Sequence, residues 1–489
     1  MLRFQLFDDG KPAKKADLAF AYLFGSDAVP LRAELEFKNG TVLCTKRSAG
    51  PAGIALPWNI DGVGDVLLET VRLQERDQPF VLPLELMRGL MMQLCHKIED
   101  WGLFDCLDAE ALNVRVNNAR DRLIEAMKID DPAQIAAAAS SALAQAAATA
   151  EEMTALHAKV LLERRQQTAG FTRRVFGCHV DLDAPIEQLG PLLEGNFDFV
   201  TLPFPWRVVE PNEQNFNYKA ADAWVDWLAK KRIPIKGTPL VCFQEHNVPD
   251  WLYIWEHDFE TVRDLVADHV RRILARYGNH IQVWDVISGI HAAQSFSFNF
   301  EQLIELTRVA ANVARQAAPR CLSIIDIVAP WGEYYAKNQR TIPPMLYAEM
   351  ALQSGISFDA LGLRFCFQPG PEGMYTRDMF QISALLDRFG AFGKPLHITA
   401  VQVPSNNVSG AGAWRGKWSP DTQARWLKEF YTIALSKPFV DTVCWRTPAD
   451  KTKTKSPGLG LFNADLSPKP AFNELMALRR EIVPHGGGE

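Results

Sequence analysis

The chain has 489 residues, 47% of them hydrophobic and 22% charged, with a formal net charge of −6. That length exceeds one ordinary domain, the composition suits a globular protein with a sizeable core, and the mild acidity argues against a general nucleic-acid binder. No run reaches the roughly 18 uninterrupted apolar residues of a membrane span, so no membrane partner is expected.

The N-terminus meets Asp8 and Asp9 before any apolar run. It does not read as a secretory signal, and a cytoplasmic location is the expectation. Cys44, Cys95, Cys106, Cys178, Cys242, Cys321, Cys366 and Cys444 are scattered without a CxxC pair. They read as small buried hydrophobes in a reduced protein, and no metal or other cofactor is expected.

Residues 1–80 read as β structure. Short runs at Leu18–Phe24, Ala33–Phe37, Thr41–Cys44 and Asp65–Leu73 are separated by turn signals, and Asn39-Gly40 between two of them predicts a tight hairpin. A small β-sandwich-like domain is expected. Residues 81–170 turn helical. Leu86, Leu90, Leu94 and Ile98 recur every four residues up to Trp101-Gly102, and further helices are predicted over 108–128 and 132–167. Pro132 suits a first helical turn and Arg164-Arg165 a last one. This segment reads as a helical connector packed on its neighbours.

Over 171–482 short apolar runs alternate with amphipathic helices. Strands are predicted at Val175–Leu182, Phe197–Leu202, Pro234–Phe243, Ile281–Ile287, Leu322–Val328, Ala360–Cys366, Leu396–Val403 and Thr442–Trp445. The intervening stretches 258–276 and 301–317 each place their apolar residues on one helical face. Eight strands alternating with helices predict an α/β fold, a parallel (β/α)8 TIM barrel, whose chemistry sits where strands give way to loops.

Several strand ends, taken in order, resemble glycoside hydrolase family 10, the xylanase family. FDFVTLPFPWRVVEP at Phe197–Pro211, KGTPLVCFQEHNVPDW at Lys236–Trp251 and Trp284-Asp285-Val286 follow the order of its landmarks. So do Phe358–Cys366, HITAVQ at His397–Gln402 and LFNADLSPKPAF at Leu461–Phe472. The resemblance covers roughly residues 180–480. It implies a retaining glycosidase, which needs one carboxyl as acid/base and another as nucleophile, roughly 5 Å apart. Here the family's acid/base glutamate falls on Gly289 and its nucleophile on Ala400. No Asp or Glu lies between Asp285 and Glu301, or between Asp387 and Asp421.

The implied sugar-binding shell is altered too. Pro205, Thr238 and Ser288 stand where the family has Lys, His and Asn, and Arg364 and Cys366 where it has Gln and His. Trp206 and Trp445 remain, either to stack on sugar rings or to pack the core. Carboxylates that other strand ends offer for acid/base work are Glu245 (beside His246), Asp285, Asp326, Glu333 (after Trp331-Gly332) and Asp450. The structural alternative is a solvated loop for Glu245 and a buried, hydrogen-bonded residue for Asp285. The loop Pro404–Ser419 carries Trp414, Arg415, Lys417 and Trp418 among glycines, serines and asparagines. It reads as a binding-face loop for a sugar chain or an acidic partner, or as a mobile lid with anchoring aromatics. His179-Val180-Asp181 has metal-ligand spacing, but His291 and His397 are isolated and a catalytic zinc needs three ligands.

The substrate-binding candidates are Trp206, Glu245, Ser288, Trp331, Arg364, Trp414, Trp418 and Trp445. The expected function is a xylanase-like barrel that has lost retaining glycosidase activity and binds oligosaccharide. The alternatives are an active hydrolase on β-linked oligosaccharides with relocated carboxylates, and a non-catalytic scaffold.

Overall fold

The computed structural model describes residues 1–103, 109–168, 170–171, 174–370, 373–451 and 457–482. Cys106 and the start of the helix predicted from 108 lie outside them; the other seven cysteines are free thiols, and all but Cys95 are buried.

Eight parallel strands close a ring: β1 (Phe176–His179), β2 (Phe199–Pro203), β3 (Ile235–Thr238), β4 (Val283–Ser288), β5 (Leu322–Ile327), β6 (Ala360–Cys366), β7 (Leu396–Gln402) and β8 (Val440–Trp445), with β8 pairing back on β1. β3 is shorter than the run 234–243, because Pro239 carries no N–H for the ladder. Beyond it the chain re-engages through Leu240 and Val241, whose N–H groups donate to the carbonyls of Asp285 and Val286. Gly237 is required on β3: a Cβ there would sit 2.1 Å from the Trp284 ring.

Helices cover the outside of the ring. Phe259–Tyr277 is capped by Asp258, and Phe300–Ala317 by a reciprocal Asn299–Gln302 box. Their buried faces include Val262, Val266 and Ile273 in the first, and Leu303, Leu306 and Ala310 in the second.

In the first third, two larger sheets form beside a two-stranded pair, Phe7–Asp8 with Lys11–Pro12. One runs Phe80–Val81, Leu2–Gln5, Thr41–Lys46, Ala33–Lys38, and the other has Gly64–Glu69, Gly53–Ile60, Tyr22–Phe24 and Pro30–Leu31. The Asn39-Gly40 hairpin joins two strands of the first, with φ of 51° and 75° as a left-handed tight turn requires. Helices α1 (Leu82–Asp100), α2 (Ala109–Met127) and α3 (Pro132–Thr168) follow. They pack on their neighbours: Phe4, Leu56, Leu86, Leu143 and Met153 belong to one hydrophobic cluster, which also takes in Phe380 from the barrel. The alanines of α3 explain the closeness, since Ala139, Ala142, Ala146 and Ala150 are buried and let backbones approach. No helix among the described residues is long and apolar enough to cross a membrane.

The barrel is sewn to this module. Trp101 donates to Asp387 at 2.7 Å, and Arg165 donates to the carbonyls of Leu435, Lys437 and Val440. The loop after β7 contributes a further strand, Ala413–Trp414, antiparallel to Gly64–Glu69.

Candidate functional site

The strand ends carry a polar cluster in place of the branched apolar filling usual in such barrels. The register of β4 on β5 shifts between Asp285 and Ile287. Such a shift alters strict alternation, and both Asp285 and Ser288 make polar contacts across the ring. Asp285 pairs with Lys236 at 2.8 Å, both side chains nearly fully buried. Burial raises its carboxyl above the ordinary aspartate value despite the Lys236 charge.

Nearer the mouth, Arg364 donates through Nε to Asp326 at 2.6 Å and through Nη2 to Ser288 at 2.9 Å. Ser288 donates to Asp326 at 2.6 Å, and the Thr399 hydroxyl donates to its other oxygen. Burial alone would raise the Asp326 carboxyl. The Arg364 charge and the two hydroxyls outweigh it and hold Asp326 below its ordinary value. Two buried aspartates with opposite shifts are a pattern that acid/base pairs use. Asp285 and Asp326 are only 1% and 0% exposed, however, so neither carboxyl lies open to solvent.

Gly289 follows β4 with φ of +62°, and a Cβ added there would lie 3.1 Å from both Val328 γ-carbons. Ala400 is buried and is the register partner of Arg364 across β6 and β7. Arg364 also lines a cavity of about 120 Å³, with Gln244, Gln294, Tyr334, Cys366 and Arg446 among others, and no carboxylate among the described residues of its wall.

The remaining candidates scatter. Glu245 stands exposed on a turn. Trp206 is buried, stacks on His269 at 4.2 Å and donates to Glu210. Trp445 is fully buried and donates to the Leu459 carbonyl. These two indoles pack the core. Glu333 and Trp331 face the N-terminal module: Glu333 accepts from Arg377 at 2.8 Å, and the Arg377 guanidinium also lies over the Trp331 ring. Trp331 lines a separate cavity of about 300 Å³ at that seam, with Tyr22, Glu69 and Phe380. Asp450 pairs with Lys469.

Trp414 and Trp418, in the loop after β7, offer no exposed ring face to a sugar. Both are buried; Trp414 donates to Glu151 of α3 at 2.7 Å and Trp418 to the Gly412 carbonyl. Strand pairing with the N-terminal sheet turns these indoles inward. His179 and Asp181 do not open a metal site: among the described residues no three His, Cys, Asp or Glu side chains group for an ion.

Sequence reading missed Arg446, Gln244, Gln294 and Tyr334 as lining residues, Lys236 as the partner of Asp285, and Arg377 as the centre of the seam. Arg446 follows Trp445 directly, so extending β8 by one residue would have found it.

Residues 180–478 match the model of Glycosyl hydrolase family 10. Endo-1,4-beta-xylanase B of Thermotoga neapolitana is 22% identical over 292 residues, covering 56% of this chain and 78% of the relative. Endo-1,4-beta-xylanase 3 of Hypocrea jecorina is 23% identical over 278 residues, covering 56% and 72%. Among solved structures, native xylanase 10B from Thermotoga maritima superposes with a TM-score of 0.50 at 17% identity, over 66% of this chain and 98% of that one. Xylanase 10B from Thermotoga petrophila RKU-1, in complex with xylobiose, gives the same score and identity over 66% and 97%.

Proposed function

Because the chain belongs to glycosyl hydrolase family 10, we propose that it is a xylanase-like barrel that binds carbohydrate at its strand ends without hydrolysing it by the retaining route. The observation that carries this reading is Arg364. Its guanidinium, tied to Asp326 and Ser288, is the register partner of Ala400 and lines the mouth cavity. Retaining hydrolysis needs two accessible carboxyl groups roughly 5 Å apart in that space. Among the described residues the cavity wall offers guanidinium, amide, phenol and thiol instead, a set that hydrogen-bonds a sugar and supplies no nucleophilic carboxylate. A xylobiose complex of a structural relative makes short β-linked xylo-oligosaccharides the ligands to try first.

Two measurements on the purified chain test this together. Release of reducing ends from xylan and of phenol from an aryl β-xyloside should stay at the level of a protein-free control. Calorimetry with xylobiose and longer oligomers should give a saturable heat. Robust turnover overturns the non-hydrolytic reading, and absence of binding to any oligomer overturns the carbohydrate reading.

A further inference from the structure

We propose that the cavity at the seam between the N-terminal module and the barrel is a saccharide site of its own, one that takes a neutral mono- or disaccharide. It is separate from the barrel mouth and does not depend on the reading argued above.

The cavity, of about 300 Å³, stands at the lower end of small-molecule pockets, roughly 300–1,000 Å³, and lies where such pockets concentrate, between two folded units. Each unit supplies one wall. Tyr22, the turn Asp27–Pro30, Glu69 and the last turns of α1 come from the N-terminal module. Trp331, Pro343, Pro344 and the helix Met379–Gly390 come from the barrel. Tyr22, Pro343, Pro344, Phe380 and Leu385 are buried and make an apolar floor. Asp27, His96 and Asp100 are exposed and Lys97 and Arg388 half-buried, so charge gathers at the solvent side.

The walls are set before any ligand arrives. Arg377, fully buried, donates to the Tyr22 hydroxyl at 3.2 Å and to Glu69 at 3.4 Å, and its guanidinium lies 4.9 Å from the Trp331 ring centre. One side chain thus fixes lining groups from both units. A site ordered in advance loses less freedom on binding.

The rim selects a neutral ligand. Lys97 pairs with Asp100 at 3.1 Å and with Asp387 at 3.5 Å, Glu69 pairs with Arg377, and Arg388 donates to the Asp27 carbonyl at 3.1 Å. The described wall therefore carries both signs, engaged with one another, and an ion drawn to one sign is repelled by the other. A hydroxyl both donates and accepts, so it bonds carboxylate and cation alike. Hydrogen bonds with one ionised partner are the stronger kind. A sugar ring joins such hydroxyls to an apolar C–H face, and the aromatic side of the cavity, Trp331 with Phe380, can cover that face.

Calorimetry and hydrogen exchange on the full chain test this with xylobiose, cellobiose and maltose, and with choline and benzoate as charged comparators. At least one disaccharide should bind saturably. Ala384→Phe, which places a ring in the cavity from the helix Met379–Gly390, should weaken that binding component about ten-fold or more. At ten times Kd the same sugar should slow amide exchange over residues 25–29 of the native chain about ten-fold. Should the variant not fold, the exchange measurement decides. Sugar binding unchanged in the folded variant, or bound sugar with no slowing over 25–29, overturns the seam site and leaves the mouth reading standing. Loss of all sugar binding in the folded variant supports the seam site and counts against the mouth. Binding of no disaccharide overturns both. Choline or benzoate slowing exchange over 25–29 more than every disaccharide overturns the ligand class.

Discussion

Arg364 donates to Asp326 at 2.6 Å inside the strand ring, with side-chain exposures of 14% and 0%. The pair stands between Ser288 at the end of β4 and Thr399 on β7. It therefore bridges the two strands on which family 10 resemblance places catalysis, from a position on neither.

Replacing Arg364 by Met should strand a buried charge. Removing one partner of a buried pair costs about 3–5 kcal/mol, and urea denaturation at pH 7 should read a loss of that size. The pH dependence has a definite sign. In the native chain Asp326 is held below its ordinary value, so its contribution is full above the ordinary aspartate range and is lost as pH falls through the folded value. In the variant burial dominates and the folded value is raised, a penalty that fades as pH falls toward 3.8. The stability gap between the two proteins should shrink between pH 7 and pH 4; a constant gap refutes the assignment.

The bond from Trp414 to Glu151 predicts that Trp414→Phe loosens the seam. A buried carboxylate loses a donor, a cost of about 1–3 kcal/mol. The backbone pairing of Ala413–Trp414 with Gly64–Glu69 also weakens. Limited proteolysis should cut within 403–419 faster than in the native chain. Equal cutting rates would show that the indole does not hold this loop.

How much of this was legible in the sequence follows from where periodicity applies. The eight strands were readable because each is a short apolar run flanked by an amphipathic helix, and Gly289 and Ala400 because landmarks bracket them on both sides. Trp331, Glu333, Trp414 and Trp418 were misplaced for a common reason. Each sits in a loop that a local reading assigns to the barrel mouth; Trp331 and Glu333 are claimed by Arg377 and Trp414 by Glu151, all distant in sequence, while Trp418 turns back on the Gly412 carbonyl of its own loop. No local pattern encodes that docking. Asp285 was legible as a buried, hydrogen-bonded residue, but its partner Lys236 was not, since nothing local says which charge on a neighbouring strand will face it once the ring is closed.

Glu429 gives the seam a pH response. Burial, opposed by Arg415 and reinforced by Glu151, raises its carboxyl from 4.5 to about 7. A carboxyl with a raised folded value binds its proton more tightly in the native state. Its contribution is therefore greatest below 4.5 and declines as pH rises to about 7. Glu429→Gln should flatten that slope. Thermal melts from pH 5 to pH 8 should fall less in the variant than in the native chain, and parallel curves would refute the assignment.

Restoring the two glutamates should not restore hydrolysis. Gly289 has φ of +62°, a conformation that costs a side-chain-bearing residue roughly 1–2 kcal/mol, and its Cβ would press on Val328. The chemical obstacle is larger. An acid/base group must hold a proton near neutral pH, which requires a raised pKa. A carboxyl introduced by Gly289→Glu enters beside Gln244, in a mouth whose wall includes Arg364. That cation favours its ionised form and leaves it unable to protonate a leaving oxygen. A carboxyl introduced by Ala400→Glu faces its register partner Arg364 and pairs with it, which lowers its nucleophilicity. The double variant should release no reducing ends from xylan above the native background. Adding Arg364→Gln removes the cation from between them, and only that triple variant should gain measurable release. A double variant as active as the triple would show that Arg364 does not govern the site.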